Sequence, residues 1–209
     1  LPDDSPLVVR RTVIRAKHAA SLIVLRHHNN EPHMLMGMRG AKHRFMPNRL
    51  VFPGGRVDPA DLTAPFATPL SASTEHGLRK SGSAKLAAGL AAAAARELLE
   101  ETGLSLGDPP RLDVLNYLAR AVTPPGLPIR FNARFFVVEE RFVSGEIGGD
   151  GELDGLRFYG MSEALALELA LPTRRVLERL TAWLALSDAE RNGHHPTPVL
   201  LRDRGWIME

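Results

Sequence analysis

Residues 85–102 read KLAAGLAAAAARELLEET, and Gly103 follows at once. Ala, Leu and Glu are strong helix formers, and a glycine just past the last turn is a common stop, so the spacing predicts a helix over 85–102. Gly89 is a mild defect in it. Glu97, Glu100 and Glu101 fall at i, i+3 and i+4, on one helix face. Like charges at those spacings repel, which costs stability. A divalent cation reverses the sign, and carboxylate oxygens suit hard ions such as Mg²⁺ or Mn²⁺. Leu98 and Leu99 lie on other faces and can anchor the helix to a sheet. A solvated acidic helix end would look similar. Two features argue for the cation instead: the Gly103 stop, and Phe52-Pro53-Gly54-Gly55, a short strand ending in a glycine pair where backbone can approach a ligand closely.

The rest of the chain supplies the sheet. Residues 19–25 (AASLIVL) form a short, apolar, β-branched run, hence a buried strand. A polar turn at 27–32 leads to a second strand at 34–39, so the two form a hairpin. Residues 39–49 are basic and irregular, and 50–52 are a short strand. Residues 58–83 carry Pro59, Pro65, Pro69, Gly77 and Gly82 without a clear period and read as a long loop with one helical turn at most. Strands are expected at 111–121 and 130–139, joined by a Pro-Gly turn at 124–128. A glycine-rich loop at 145–151 precedes a strand at 156–159. Ser162 can cap a helix through Leu169, and Pro172 opens another through Leu186. Residues 187–209 are a tail of undefined structure.

The stretch Arg96-Glu97-Leu98-Leu99-Glu100-Glu101-Thr102-Gly103-Leu104 resembles the second half of the Nudix box, G-x5-E-x7-R-E-U-x-E-E-x-G-U with U aliphatic, and matches it at every defined position. The first half departs. Five residues after Gly55 comes Asp61 rather than Glu, and 34 residues, 62–95, stand where the pattern has seven. The resemblance implies an α/β protein of the α+β type: a Nudix fold, with a mixed β-sheet between helices. It also implies one domain over 1–209 with an insertion at 62–84 that leaves the box geometry intact. The family glutamate aligned with Asp61 holds the box arginine, so Asp61 could hold Arg96, with Glu75 a rival. Glu152, followed by Phe158-Tyr159 and Ser162-Glu163, looks like the family's closing segment. That makes Glu152 an extra metal ligand or general base; otherwise it is a surface glutamate beside Gly149 and Gly151. The resemblance thus implies hydrolysis of a diphosphate bond. Glu97, Glu100 and Glu101, with a backbone carbonyl of Gly54 or Gly55, hold Mg²⁺ or Mn²⁺. Glu101 or Glu152 acts as base, and Arg96 belongs to the catalytic frame.

The interrupted box, the lead-in at 39–47 and the segment Arg130-Phe131-Asn132-Ala133-Arg134-Phe135-Phe136 resemble one subgroup, the coenzyme A diphosphatases with an insertion in the box. That subgroup commonly has Asp-Thr where Asn132 and Ala133 stand. Coenzyme A carries a diphosphate and a 3′-phosphate, so its enzyme wants several cations near the metal. Arg39, Lys42, Arg44 and Arg49 lead into the Gly-Gly turn, and arginine can grip phosphate bidentately. Phe45 or Phe131 could stack on adenine, with Arg130 and Asn132 alongside. An enzyme for ADP-ribose, NADH or another dinucleotide would share fold and chemistry. A catalytically silent Nudix-fold binding module is the reading from another class, which loss of a box glutamate would favour, and none is lost.

A net charge of +2 gives no footprint of a dedicated nucleic-acid binder. No apolar run approaches the ~20 residues that span a bilayer. The acidic, Pro-rich start at 1–6 has no signal-peptide pattern, and a cytoplasmic location is expected, although a start without Met leaves a removed leader open. The 209 residues contain no cysteine, which rules out disulfides and thiolate chemistry. His27-His28 and His194-His195 are adjacent pairs, wrong for ligands sharing a helix face. The expected partner is a small-molecule diphosphate; the oligomeric state stays open, a homodimer included.

Overall fold

The structure, a computed structural model, describes residues 14–40, 48–149, 151–191, 193, 196–201 and 205–209. In chain order it contains β1 (Lys17–His28), β2 (Glu31–Arg39), β3 (Leu50–Val51), β4 (Gly54–Arg56), a 3-10 turn (Ala60–Thr63), α1 (Ala72–Arg79) and α2 (Ala84–Thr102). Then come β5 (Asn116–Val122), β6 (Phe131–Glu139), a second 3-10 turn (Glu140–Phe142), β7 (Leu153–Gly160), α3 (Met161–Ala166), α4 (Leu171–Leu184), α5 (Asp188–Arg191), β8 (Pro198–Leu201) and β9 (Gly205–Met208).

The strands form one mixed sheet, ordered β3-β2-β1-β6-β5-β8-β9, with β4 also pairing β1 and β7 pairing β2. β1 and β6 run parallel, as do β5 and β8. Both faces of the sheet are covered, which explains why β1 is a continuous apolar run rather than an alternating one. Leu22 and Val24 face the core shared with α2, whereas Ile23 and Leu25 face the core shared with α4. The β1–β2 hairpin turns on Asn29 and Asn30, both at positive φ (49° and 62°), the backbone a two-residue hairpin loop demands.

The expected helix is present, capped by Ser83, whose side chain accepts the Leu86 N–H, and ended by Gly103 at φ 73°. Ala91 to Ala95 are all buried, so short side chains let α2 lie close against its neighbours. Gly89 is not a defect: a Cβ there would lie 2.6 Å from Leu62 Cδ2. Leu98 anchors the helix as expected, but Leu99 is 52% exposed and anchors nothing.

Three expectations need correction. Residues 58–83 hold a 3-10 turn and α1 rather than a bare loop. Leu78 of α1 is buried, and Thr74 Oγ1 donates to the Leu115 carbonyl at 2.8 Å. ASTEHGLR carries one large apolar residue, too few to display a period. Ser162 does not cap α3; Gly160 occupies the cap position, and the Ser162 N–H donates to Glu31 Oε1 at 2.8 Å. The tail adds α5 and a β8–β9 hairpin that extends the sheet beside β5. Among the described residues no helix is long and apolar enough to cross a membrane.

Candidate active site

α2 brings Glu97 and Glu101, one turn apart, against the β4 turn. The Gly54 N–H donates to Glu101 Oε2 at 2.7 Å. A Cβ on Gly55 would lie 2.1 Å from Glu97 Oε1, and one on Gly54, at φ 153°, would meet the Ala20 carbonyl oxygen at 2.4 Å. Gly54 therefore excludes a side chain against fixed backbone, and one at Gly55 would displace the Glu97 carboxylate. The turn is tied down from β1: Ser21 Oγ and the Leu22 N–H each donate to the Pro53 carbonyl at 2.9 Å.

Arg96 frames this corner. Its Nε and Nη2 donate to the two oxygens of Asp61 at 3.0 Å each, and Nη2 also donates to the Arg56 carbonyl at 3.0 Å. Nη1 donates to Glu97 Oε1 at 2.8 Å and Glu100 Oε2 at 2.9 Å. Asp61 is buried and also accepts the Asp58 N–H at 2.8 Å. The Asp61 bond above all, with Glu97 adding to it and burial opposing, strengthens the hold of the guanidinium on its proton. Glu75, the rival support, pairs instead with Arg79 at 3.6 Å within α1. The chain between Asp61 and Arg96 thus leaves and returns without parting the two.

Burial pushes the Glu101 carboxyl up to about 8; Glu97 and Glu152 push the same way, against the Gly54 N–H and Arg39. Burial also raises Glu97, opposed by Arg96. Glu100 is half-exposed, at 50%. Arg39 Nη2 donates to Glu152 Oε1 at 2.8 Å and lies 3.9 Å from Glu101 Oε1. It stands between two carboxylates, where it orients Glu152.

Oxygen donors raised by burial and mutual repulsion, beside a turn with no room for a side chain, fit a hard divalent cation. Among the described residues no three such side chains already converge as a metal cage. The reason is visible: Arg96 Nη1 occupies Glu97 and Glu100, so a cation would compete with it for them.

These groups border a cleft of about 910 Å³, whose lining includes Gly54, Gly55, Glu97, Arg39 and Glu152. The remaining wall is largely apolar, with Phe52, Phe131, Phe135, Leu127 and Leu171. Of the residues expected to touch substrate, Phe131 and Arg39 line this cleft. Arg49, Arg130 and Asn132 do not. Arg49 is drawn to Glu168. Arg130 holds the Thr123 and Ile14 carbonyls, bracing the β5–β6 hairpin. Asn132, next along β6 from Phe131 and so on the opposite face, accepts from Arg120 Nε at 2.8 Å. Phe45, Lys42, Arg44 and the His194-His195 pair lie outside the described residues. Sequence reasoning passed over Lys17 and Arg56, which also line the cleft. Arg56 directly follows the Gly-Gly pair and was within reach of that reading; Lys17 enters only through strand register.

Residues 82–180 match the family model described as NUDIX domain. A NUDIX hydrolase from Alicyclobacillus acidocaldarius is similar in structure, at TM-score 0.63 and 25% identity over 80% of this chain and 92% of that one. A MutT NUDIX hydrolase from Burkholderia pseudomallei gives TM-score 0.53 and 17% identity over 80% and 99% of the two chains. The NUDIX domain of Shewanella oneidensis NrtR, complexed with ADP ribose, gives 0.54 and 13% over 82% and 90%. No curated protein matches the sequence.

Proposed function

We infer that this chain, a Nudix-domain enzyme hydrolysing phosphorus anhydrides, acts on the diphosphate of coenzyme A or an acyl-coenzyme A. The products are 3′,5′-ADP and (acyl-)4′-phosphopantetheine. The observation that carries the reading is that the Gly54–Gly55 turn, Glu97 and Glu152 line a cleft of about 910 Å³ whose wall is otherwise largely apolar. A diphosphate with a nucleoside on one side and an extended arm on the other suits that shape. The interrupted box, the residues around Arg39 and the segment from Arg130 to Phe136 support coenzyme A in particular.

The bond change is simple. A water oxygen bonds to one phosphorus, the bridging P–O bond breaks, and each fragment leaves as a phosphomonoester. Glu97, Glu100 and Glu101, with a carbonyl of Gly54 or Gly55, would hold Mg²⁺ or Mn²⁺. When bound, such an ion offsets the charge of the diphosphate and acidifies water. Two carboxylates are candidates to take the water's proton. Glu101 has Oε2 fixed by the Gly54 N–H. Glu152 is aimed by Arg39. Arg96 and Asp61 hold the turn and the helix in register.

Comparing kcat/KM for coenzyme A, dephospho-coenzyme A, ADP-ribose and NADH tests the reading. Coenzyme A or its acyl esters should lead. If ADP-ribose or NADH leads by an order of magnitude, the substrate is a different nucleoside diphosphate derivative. Retention of Glu97, Glu100 and Glu101 argues against a silent binding module, which would turn over none of the four.

A further inference from the structure

Resting on the diphosphatase reading, we propose that Lys17 and Arg56, beside Phe131, form a subsite that reads a phosphate on the nucleoside, remote from the bond being cut. Two registers bring them together. β4 pairs β1 with Arg56 opposite Ala19, and Lys17 lies two residues before Ala19, on the same face. The two cations are thus diagonal neighbours, about 7–8 Å apart at the backbone. β6 pairs β1 with Phe131 opposite Lys17, and all three residues line the cleft. Ala19 and Ala133, also paired, give the cleft a floor of small side chains between the aromatic ring and the glycine turn.

Charge decides what this corner accepts. Arg39 in the cleft is engaged by Glu152, and Arg175 by Glu178 at 2.9 Å. Lys17 and Arg56 are exposed, and among the described residues no carboxylate forms an ion pair with either. Two neighbouring like charges repel, and an anion between them turns that into attraction. An aromatic face beside two cations matches a nucleobase whose sugar carries a phosphate. From Ser21, opposite Gly54, to Lys17 is four residues of β1, about 13 Å at ~3.3 Å per residue. That sets Lys17 and its neighbour Phe131 back from the carboxylates, while Arg56, one residue past Gly55 and held by Arg96 through its carbonyl, stands between the two. Binding energy from this corner would position the diphosphate rather than react with it.

The test uses the full chain with Lys17→Ala, Arg56→Ala, the double variant and Arg56→Lys. Arg26→Ala, at a surface pair with Glu140, is the control. kcat/KM is measured on two pairs that each differ by one sugar phosphate: coenzyme A against dephospho-coenzyme A, and NADPH against NADH. Thermal melts check folding, which exposed positions should preserve. The wild type should prefer the phosphorylated member by about tenfold or more, the scale of a charge-assisted contact. The double variant should bring that ratio to within about twofold, Arg56→Lys should restore part of it, and Arg26→Ala should leave it unchanged. An unchanged ratio in the double variant overturns the proposal. So does an equal fall on both members, which would place the cations on the diphosphate itself, and so does a wild type with no preference in either pair. If only the dinucleotide pair is turned over, the coenzyme A reading fails while the subsite is judged on that pair. Turnover of neither pair overturns both.

Discussion

At the carboxylate end of the cleft, Arg96 makes five hydrogen bonds, to Asp61, Glu97, Glu100 and the Arg56 carbonyl. Beyond it, Lys17, with the side chain of Arg56 whose backbone belongs to the first end, is exposed on the same cleft. The first end is over-determined: two glycines with no room for a Cβ, a buried aspartate and a clamped turn hold two glutamates where repulsion would part them. The second is assembled from β1, β4 and β6 by register alone. Where charge must be stabilised during bond cleavage, preorganisation matters most. Where a substrate is merely recognised, a few exposed contacts suffice, and they can change without disturbing the fold.

The largest expected effect lies at the first end. Glu101→Gln or Glu97→Gln should lower kcat by roughly 10²–10³-fold, the scale of losing one preorganised electrostatic group. The melting temperature should not fall, because the change relieves like-charge repulsion. Near-normal turnover in both variants would erase the contrast between the two ends. The burial of Glu101, with the repulsion of Glu97 and Glu152 added to it, should be visible in a pH series on metal-free protein. Glu101 in the fold binds its proton up to about 8, against an ordinary 4.5. The folded state therefore holds the proton more tightly than the unfolded one. Its contribution to stability is full below about pH 4.5 and is lost as the pH rises through about 8. Subtracting the Glu101→Gln profile isolates this loss; identical profiles would contradict it.

Next in size is the frame. Asp61→Ala leaves Arg96 without its bidentate partner and should destabilise the fold by about 1–3 kcal/mol, with turnover falling as the β4 turn loosens. Glu75→Ala, on the exposed face of α1, should change stability by less than about 0.5 kcal/mol. Denaturant midpoints of the two variants decide between them. The smallest effect belongs to the far end. Phe131→Ala should raise KM about five- to tenfold, the scale of one lost base stack, with kcat little altered. A kcat loss as large as that of Glu101→Gln would show that the far end shares in the chemistry.

The unequal construction of the two ends also decided what could be read from the sequence. The glutamates are contiguous on one helix, and a 3.6-residue period with a glycine stop is visible without a structure. So were the core of β1 and the β5–β6 hairpin, through apolar runs and turn residues. Contacts across strands were hidden. A basic residue reads the same in sequence whether its partner is a substrate phosphate, as expected for Arg49 and Arg130, or Glu168 for the first and the Thr123 and Ile14 carbonyls for the second. Asn132 fell on the wrong face because period-2 alternation around Phe131 was not applied. Lys17 carries no local signal, since only the pairing of β1 with β4 and β6 brings it to the cleft. The helix α1 escaped notice because its stability comes from Leu78, Thr74 and their tertiary partners rather than from propensity.

The most direct test is to incubate the wild-type chain with coenzyme A and Mg²⁺ and identify the products by mass. Parallel reactions contain EDTA in place of the metal, or Glu101→Gln in place of the wild type. The wild type with Mg²⁺ should yield 3′,5′-ADP and 4′-phosphopantetheine in equal amounts, and the other two reactions almost none. Equal product in all three reactions would contradict it, because the glutamate end would then be unnecessary for the reaction it is argued to perform.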